Sequence, residues 1–122
     1  DLQMGITDDV KTKHLNPMGR QILKECIERL GWTGEYKLRR LMWNYYHRAS
    51  IGSYHTDDSK SNVKSILYNF NENDGGTFIG DDFVKSEVGR AVVFDANVLH
   101  RGIGPTKDPV RFCVNIIFEY EE

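Results

Sequence analysis

The chain has 122 residues, which is long enough for one domain with a hydrophobic core and too short for two. Hydrophobic residues make up 39% of it and charged residues 28%, as is usual for a globular protein. The 16 basic residues against 18 acidic ones give a net charge of −2, so the charge offers no reason to expect binding to nucleic acid or to an anionic membrane. We therefore expect a single domain over residues 1–122.

The sequence also argues against a membrane or secreted location. No apolar stretch approaches the ~20 residues that a membrane span needs, and the first residues, DLQMGITDDVKTK, show no signal-peptide pattern. The two cysteines, Cys26 and Cys113, cannot build a disulfide framework. A cytoplasmic, reducing location is the expectation.

One helix is predicted, over residues 17–30. Asn16 can cap it, Pro17 suits the first helical position, and Gly31 is suited to end it. The apolar positions inside it follow helical spacing and predict one buried stripe. These positions are Ile22, Leu23, Cys26, Ile27 and Leu30.

The rest of the chain has the pattern of short strands joined by turns. The last predicted strand shows the clearest alternation of apolar and polar residues. In the first predicted strand, position 36 is expected to share a face with positions 38, 40, 42, 44 and 46. About seven or eight strands after one helix predict a double-stranded β-helix, also called a jelly roll, with the helix packed outside. Six of these strands are located, at 36–47, 63–70, 77–79, 83–88, 90–95 and 110–120.

Three side chains are candidates for a metal site. In an extended segment His55 and Asp57 project to the same side ~7 Å apart, and His100 follows 43 positions after Asp57. Two imidazoles and one carboxylate on one face of a metal leave open positions for substrates, as in non-haem Fe(II) oxygenases. The other two histidines, His14 and His47, are expected to be solvated or hydrogen-bonded. On these residues alone, a surface strand that carries His and Asp for hydrogen bonding remains an equal alternative.

Arg111 is a candidate anion-binding residue. It lies 11 residues after His100, on the same face of the last predicted strand as Cys113 and Asn115, and the opposite face is entirely apolar or aromatic. An arginine inside a small barrel requires an anion, because an unpaired buried charge is costly, and its planar fork suits a carboxylate. The alternative is an ordinary ion pair with a surface Asp or Glu.

Five segments in this order resemble one known family, the Fe(II)/2-oxoglutarate-dependent dioxygenases. These proteins carry a His-x-Asp pair, a distal His some tens of residues later, and an Arg or Lys about ten residues beyond it. The Gly-Gly turn resembles the prolyl-4-hydroxylase-like branch. The matching segments are WNYYHRASIGSYH, YHTDD, SILYNFNENDGGTF, GRAVVFDANVLHRG and PVRFCVNIIFEY.

The resemblance implies a role for each matching residue. His55, Asp57 and His100 would bind Fe(II), and Arg111 would bind the distal carboxylate of 2-oxoglutarate with help from the Tyr46 hydroxyl. Asn44 and Asn69 are weaker candidates for the same pocket. The glycines at 75, 76 and 102 are expected to serve turns or close approaches of the backbone, without a chemical role.

The activity implied by the resemblance is hydroxylation of a C–H bond, with conversion of 2-oxoglutarate to succinate and CO₂. The expected substrate is a peptidyl or amino-acid side chain, and ascorbate is a further candidate cofactor. Three alternatives stay open: a non-enzymatic jelly-roll binding module, a zinc hydrolase, and a nucleic-acid demethylase of the same superfamily. The spacing of Asn44 and Tyr46 favours the last, whereas the lack of a basic patch argues against it.

Overall fold

A computed structural model of the chain describes residues 2–4 and 15–121, so His14 and most of the polar N-terminal segment lie outside the described residues. Eight strands and one helix are present in the described ranges. In chain order they are β1 (Leu2–Met4), α1 (Asn16–Leu30), β2 (Tyr36–His47), β3 (Val63–Asn69), β4 (Gly76–Ile79), β5 (Asp82–Lys85), β6 (Ala91–Asp95), β7 (His100–Ile103) and β8 (Val110–Tyr120).

The strands form two antiparallel sheets. The larger sheet has the order β1-β2-β8-β3-β6, and the smaller has the order β5-β4-β7. Isolated bridges join Ile51 to Ile103 and His55 to His100, which attaches the segment after β2 to the edge strand β7. The expected mainly β architecture with a helix at the N-terminal end is confirmed.

Helix α1 ends as predicted but begins one residue earlier. Gly31 adopts the left-handed conformation, with φ 72°, and its N–H donates to the Glu28 carbonyl. The prediction that Asn16 caps the helix is wrong, since Leu15 holds the cap position and makes no side-chain hydrogen bond. The Asn16 Oδ1 instead accepts a hydrogen bond from Trp43 Nε1 at 3.4 Å, a tertiary contact that local spacing cannot reveal. Within residues 2–4 and 15–121, no helix has the length and hydrophobicity needed to cross a membrane.

The main hydrophobic core lies between α1 and one face of the larger sheet. Trp43 and Ile116 are fully buried in it, and the predicted helix stripe supplies the other side except for Leu30, which is 52% exposed at the end of the helix. Burial of this apolar surface is what holds the helix on the sheet. The buried members are Ile22, Leu23, Cys26, Ile27, Leu41, Trp43, Ile66, Val114, Ile116 and Phe118.

The prediction that alternate positions from 36 to 46 share one face is wrong, because a β-bulge interrupts β2. Leu38 pairs with Phe118, but Arg40 pairs with Ile117, so Arg39 is an extra residue on its strand. Directly paired residues share a face, so Leu38 lies on the helix side with Phe118. Arg40 and the alternate residues after it lie on the opposite face, which is the inside of the barrel.

The prediction missed strand β7, since HRGI contains one strongly apolar residue and no alternation. The predicted strand at 83–88 begins one residue earlier, at Asp82, and ends at Lys85. Gly75 and Gly76 have no left-handed backbone. A Cβ on Gly75 would lie 2.7 Å from the Ile103 carbonyl oxygen, so this position requires glycine for close approach of two backbones.

The docking of α1 can be tested with Leu23→Ala. Leu23 is 4% exposed, and its truncation should lower the free energy of unfolding by about 2–5 kcal/mol, from lost burial and the cavity left behind. Chemical denaturation would measure the change. Met18 is on the same helix and 49% exposed, so Met18→Ala should change stability by no more than ~0.5 kcal/mol. Equal effects of the two substitutions would contradict the docking of the helix through this face.

Candidate functional site

The fold brings His55, Asp57 and His100 together. Reciprocal backbone hydrogen bonds join His55 to His100, with N···O distances of 3.0 and 2.9 Å, and the Asp57 N–H donates to the Ala96 carbonyl at 2.9 Å. One donor atom from each side chain lies within 4.8 Å of the other two. His55 Nε2 is 3.5 Å from Asp57 Oδ1, and His100 Nε2 is 3.2 Å from Asp57 Oδ2.

Both imidazole rings are oriented by backbone carbonyls. The Nδ1 of His55 lies 2.9 Å from the Ser53 carbonyl oxygen, and the Nδ1 of His100 lies 2.8 Å from that of Val98. A carbonyl can only accept a hydrogen bond, so each Nδ1 carries a proton. In the neutral imidazole each Nε2 is then the electron-pair donor, and both point toward Asp57; a protonated Nε2 instead donates a hydrogen bond to that carboxylate. This arrangement is typical of metal-binding histidines.

The carboxylate of Asp57 is the electrostatic centre of the cluster. Its side chain is 1% exposed, and Ser65 Oγ donates a hydrogen bond to Oδ2 at 2.6 Å. Burial raises the pKa of Asp57, but hydrogen bonds from His100 and Ser65 outweigh it and leave the pKa below its ordinary value. Burial lowers the pKa of His100, but the bonds to Asp57 and the Val98 carbonyl leave it above its ordinary value. The cluster therefore stabilises an ionised carboxylate, the form that binds metals.

Arg111 is a buried cation whose described partners are all neutral. It is 1% exposed. Among the described residues it makes no ion pair, so the alternative of a surface Asp or Glu partner is not realised there. A fully desolvated guanidinium without a counter-ion is costly, which marks this position as one suited to an external anion. Its Nε donates to Asn69 Oδ1 at 3.3 Å, its Nη2 to Thr77 Oγ1 at 2.9 Å, and its Nη1 to the carbonyls of Gly76 and, at 3.3 Å, Ile103.

Tyr46 pairs with Arg111 across β2 and β8, and the guanidinium carbon lies 5.0 Å from the centre of its ring. Burial, with a smaller effect from Cys113, raises the pKa of Tyr46 to about 12 against the lowering effect of Arg111, so its hydroxyl remains a hydrogen-bond donor. A Cβ on Gly102 would lie 2.5 Å from the Tyr46 hydroxyl oxygen. The expected close approach at Gly102 is therefore made by the Tyr46 side chain.

The two asparagines occupy different environments. Asn44 is 5% exposed, and its Oδ1 is buried without a hydrogen-bond partner in the described part of the chain. The Oδ1 of Asn69 accepts hydrogen bonds from Arg111 Nε and, at 2.9 Å, from Ser86 Oγ. Asn69 thus orients Arg111, whereas Asn44 presents an unsatisfied amide oxygen to the interior.

A small cavity connects these groups. Asn44, Tyr46 and Thr77 line it together with both histidines, and Arg111 lies directly behind Tyr46 and Thr77. The side chain of His55 is 52% exposed, so the cluster is open to solvent on that side. His47 is exposed and takes no part in the cluster.

Sequence reasoning missed Ser65 and Thr77. Each is a polar residue, at most 3% exposed, next to a site residue that was predicted. A signal for Ser65 was present, because it is the one small hydroxyl residue in VKSILYN and alternates with Asn69 on the inner face. Thr77 follows a Gly-Gly pair, and no periodicity marks its side chain as inward.

Comparison with known proteins gives structural matches only. No family model matches the chain, and no curated protein matches it. A 2OG-Fe(II) oxygenase family oxidoreductase from Burkholderia pseudomallei matches with TM-score 0.71 and 17% identity, over 96% of this chain and 66% of its own. The viral collagen prolyl hydroxylase from Paramecium Bursaria Chlorella virus-1, solved as its 2OG complex, matches with TM-score 0.61 and 14% identity, over 98% and 79%.

A third match is an uncharacterised conserved protein with a double-stranded β-helix domain from Klebsiella pneumoniae. Its TM-score is 0.53 at 9% identity, over 74% of this chain and 77% of its own. Identities this low establish the fold and leave the activity open, and this chain spans only about two thirds of the Burkholderia protein. The predicted double-stranded β-helix is confirmed, and the chain shares it with 2OG-Fe(II) oxygenases that include a viral prolyl hydroxylase.

Proposed function

We propose that this chain is a single-domain Fe(II)- and 2-oxoglutarate-dependent dioxygenase. The reaction would hydroxylate a substrate C–H bond: one oxygen atom of O₂ enters the product, the other enters succinate, and 2-oxoglutarate loses CO₂. The observation that carries this proposal is the pairing of a two-histidine, one-carboxylate cluster with a buried, uncompensated arginine behind the same cavity.

His55, Asp57 and His100 suit a divalent metal. Two Nε2 atoms and one carboxylate oxygen converge, and the carbonyls of Ser53 and Val98 already hold the rings in the required tautomer. When bound, Fe(II) would supply the redox chemistry that couples O₂ to oxidation of the keto acid and the substrate. Ser65 would hold the Asp57 carboxylate in position, and the exposed side of His55 would leave access for the substrate.

Arg111 suits the distal carboxylate of 2-oxoglutarate. Its guanidinium would exchange neutral carbonyl partners for an anion that compensates its charge. Tyr46 would donate a hydrogen bond from its hydroxyl to the same carboxylate. The amide oxygen of Asn44 lacks a partner among the described residues, and a rotation of the amide group would present its nitrogen to the co-substrate. Asn69 would act indirectly, by orienting Arg111.

This buried arginine separates the proposal from its alternatives. A sugar- or peptide-binding jelly roll, or a zinc hydrolase, has no need of a desolvated cation behind the metal cluster. For the substrate we favour a peptidyl or amino-acid side chain, supported by the net charge of −2 and by a structural neighbour that is a collagen prolyl hydroxylase. A nucleic-acid substrate would need basic surface to engage phosphates.

Ser65→Ala tests the support of the metal ligand. Loss of the hydrogen bond to Asp57 Oδ2 should weaken the binding of Ni(II), a redox-inert substitute, by about 10- to 100-fold. Ser86→Ala is the matched control, since this serine is equally buried but donates to Asn69. Titration calorimetry should find its Ni(II) affinity unchanged. If both variants bind Ni(II) like the wild type, Ser65 does not support the ligand.

Arg111→Met tests the co-substrate role. It should cost about 2–5 kcal/mol of 2-oxoglutarate binding, because it removes a buried charged hydrogen bond, and should leave Ni(II) binding without co-substrate unchanged. Arg90→Met, at an exposed arginine paired with Glu87, is the control for loss of charge. A 2-oxoglutarate dissociation constant within twofold of the wild type in Arg111→Met would show that Arg111 has another task.

Asp57→Ala tests the whole assignment. Under anaerobic conditions the wild type with Fe(II) and 2-oxoglutarate should show the weak visible charge-transfer band of a chelated keto acid, because three protein ligands leave positions for chelation. Admission of O₂ should then release succinate slowly. Asp57→Ala should abolish both signals, whereas Asp58→Ala should keep them, since Asp58 contacts Arg39 and the Lys60 N–H instead. An Asp57→Ala protein that retains both signals would refute the proposal.

A further inference from the structure

We propose that Arg40 selects substrates that carry an anionic oxygen group, a carboxylate or a phosphate, close to the C–H bond that is oxidised. This inference rests on the proposed function and names the substrate class for the same site. It follows from the position of Arg40, from the identity of its ion-pair partner, and from the balance of charge in the cavity.

The bulge in β2 turns Arg40 into the barrel. Arg40 pairs with Ile117 and lies on the same face as Asn44 and Tyr46, and all three side chains line the cavity beside His55 and His100. The side chain of Arg40 is 48% exposed, so it extends from the cavity to solvent. Its guanidinium therefore stands at the entrance through which a substrate must pass.

The partner of Arg40 is the carboxylate that the metal would use. Arg40 Nη2 lies 3.9 Å from Asp57 Oδ1, and this is its one ion pair within residues 15–121. A divalent ion on Asp57 would compete for that carboxylate and repel the guanidinium. Metal binding would thus leave Arg40 as a cation without a partner, facing the side where substrate enters.

The charges inside the site lead to the same conclusion. A divalent metal, Asp57 and Arg111 together carry two positive charges, and 2-oxoglutarate brings two negative ones. This inner set is neutral without Arg40. Arg40 adds one positive charge that neither the metal site nor the co-substrate requires, and an anionic group on the substrate would compensate it.

The adjacent Arg39 provides the contrast. It is 38% exposed, similar to Arg40, but it forms an ion pair with Glu119 and lies 3.9 Å from Asp58 Oδ2. Two neighbouring arginines therefore have different environments. Arg39 is compensated by surface carboxylates, whereas within the described ranges Arg40 has Asp57 as its only acidic partner.

The test uses Ni(II) and 2-oxoglutarate to load the full chain without turnover, and matched small probes that differ in charge. The carboxylate arm compares acetyl-aspartate amide with acetyl-asparagine amide, and the phosphate arm compares acetyl-phosphoserine amide with acetyl-serine amide. Dissociation constants would be measured by NMR titration. In at least one arm the wild type should bind the anionic probe about tenfold more tightly, or ~1.4 kcal/mol, and added salt should reduce this preference because Arg40 is half exposed.

Arg40→Gln should reduce that preference to within twofold, and Arg39→Gln should retain it. A wild type that binds neither anionic probe, or shows no preference for charge in either arm, would overturn the proposal. An Arg40→Gln protein that keeps the preference would also overturn it. A loss of 2-oxoglutarate affinity in Arg40→Gln in place of the loss of preference would overturn it too, since Arg40 would then serve the co-substrate.

Failure of the proposed function would be visible separately and earlier. A wild type that does not bind Ni(II) through His55, Asp57 and His100, or does not bind 2-oxoglutarate, fails before any probe is added. If loading succeeds and the charge preference is absent, only the assignment of Arg40 is wrong.

Discussion

The alternation of side chains along β8 is the constraint on which the rest of the structure depends. This strand is hydrogen-bonded to β2 along one edge and to β3 along the other. One of its faces packs under the helix, and the other faces the inside of the barrel. Val114, Ile116 and Phe118 face α1 and form the main core, while Arg111 faces the barrel interior. Because most apolar burial occurs beneath the helix, a small protein can keep polar and charged groups inside its barrel without losing its core.

The site lies where the two sheets meet, and each sheet contributes part of it. The larger sheet carries Arg111, Tyr46 and Ser65, and the smaller carries His100 and Thr77. His55 is attached to the smaller sheet through its bridge to His100, while Asp57 is attached through Ala96 and Ser65. The geometry of the cluster therefore depends on how the sheets close against each other.

How much of the fold and the site could be predicted from the sequence depends on whether a feature is set by a local pattern or by contacts with distant residues. Strands β2 and β8 were predicted residue for residue, since each has a long pattern, and the three clustered side chains followed from a motif spread over tens of residues. The bulge at Arg39 could not be predicted, because it depends on the partner strand and leaves no local signal. Strand β7 was not predicted, because it forms by pairing with β4 and through the bridge between His55 and His100. Its own four residues carry no strand pattern.

Asp57 connects the separate parts of the site through competition for one carboxylate. His55, His100, Ser65 and Arg40 all approach the two carboxylate oxygens, from 2.6 to 3.9 Å. A metal ion would replace the contacts of both histidines and repel Arg40, but would leave the neutral hydrogen bond from Ser65 intact. The shortest of the four contacts is thus compatible with the metal, and the longest, to a half-exposed side chain, is the easiest to release. One buried carboxylate can therefore hold these groups together and also free a cation at the entrance when the metal binds.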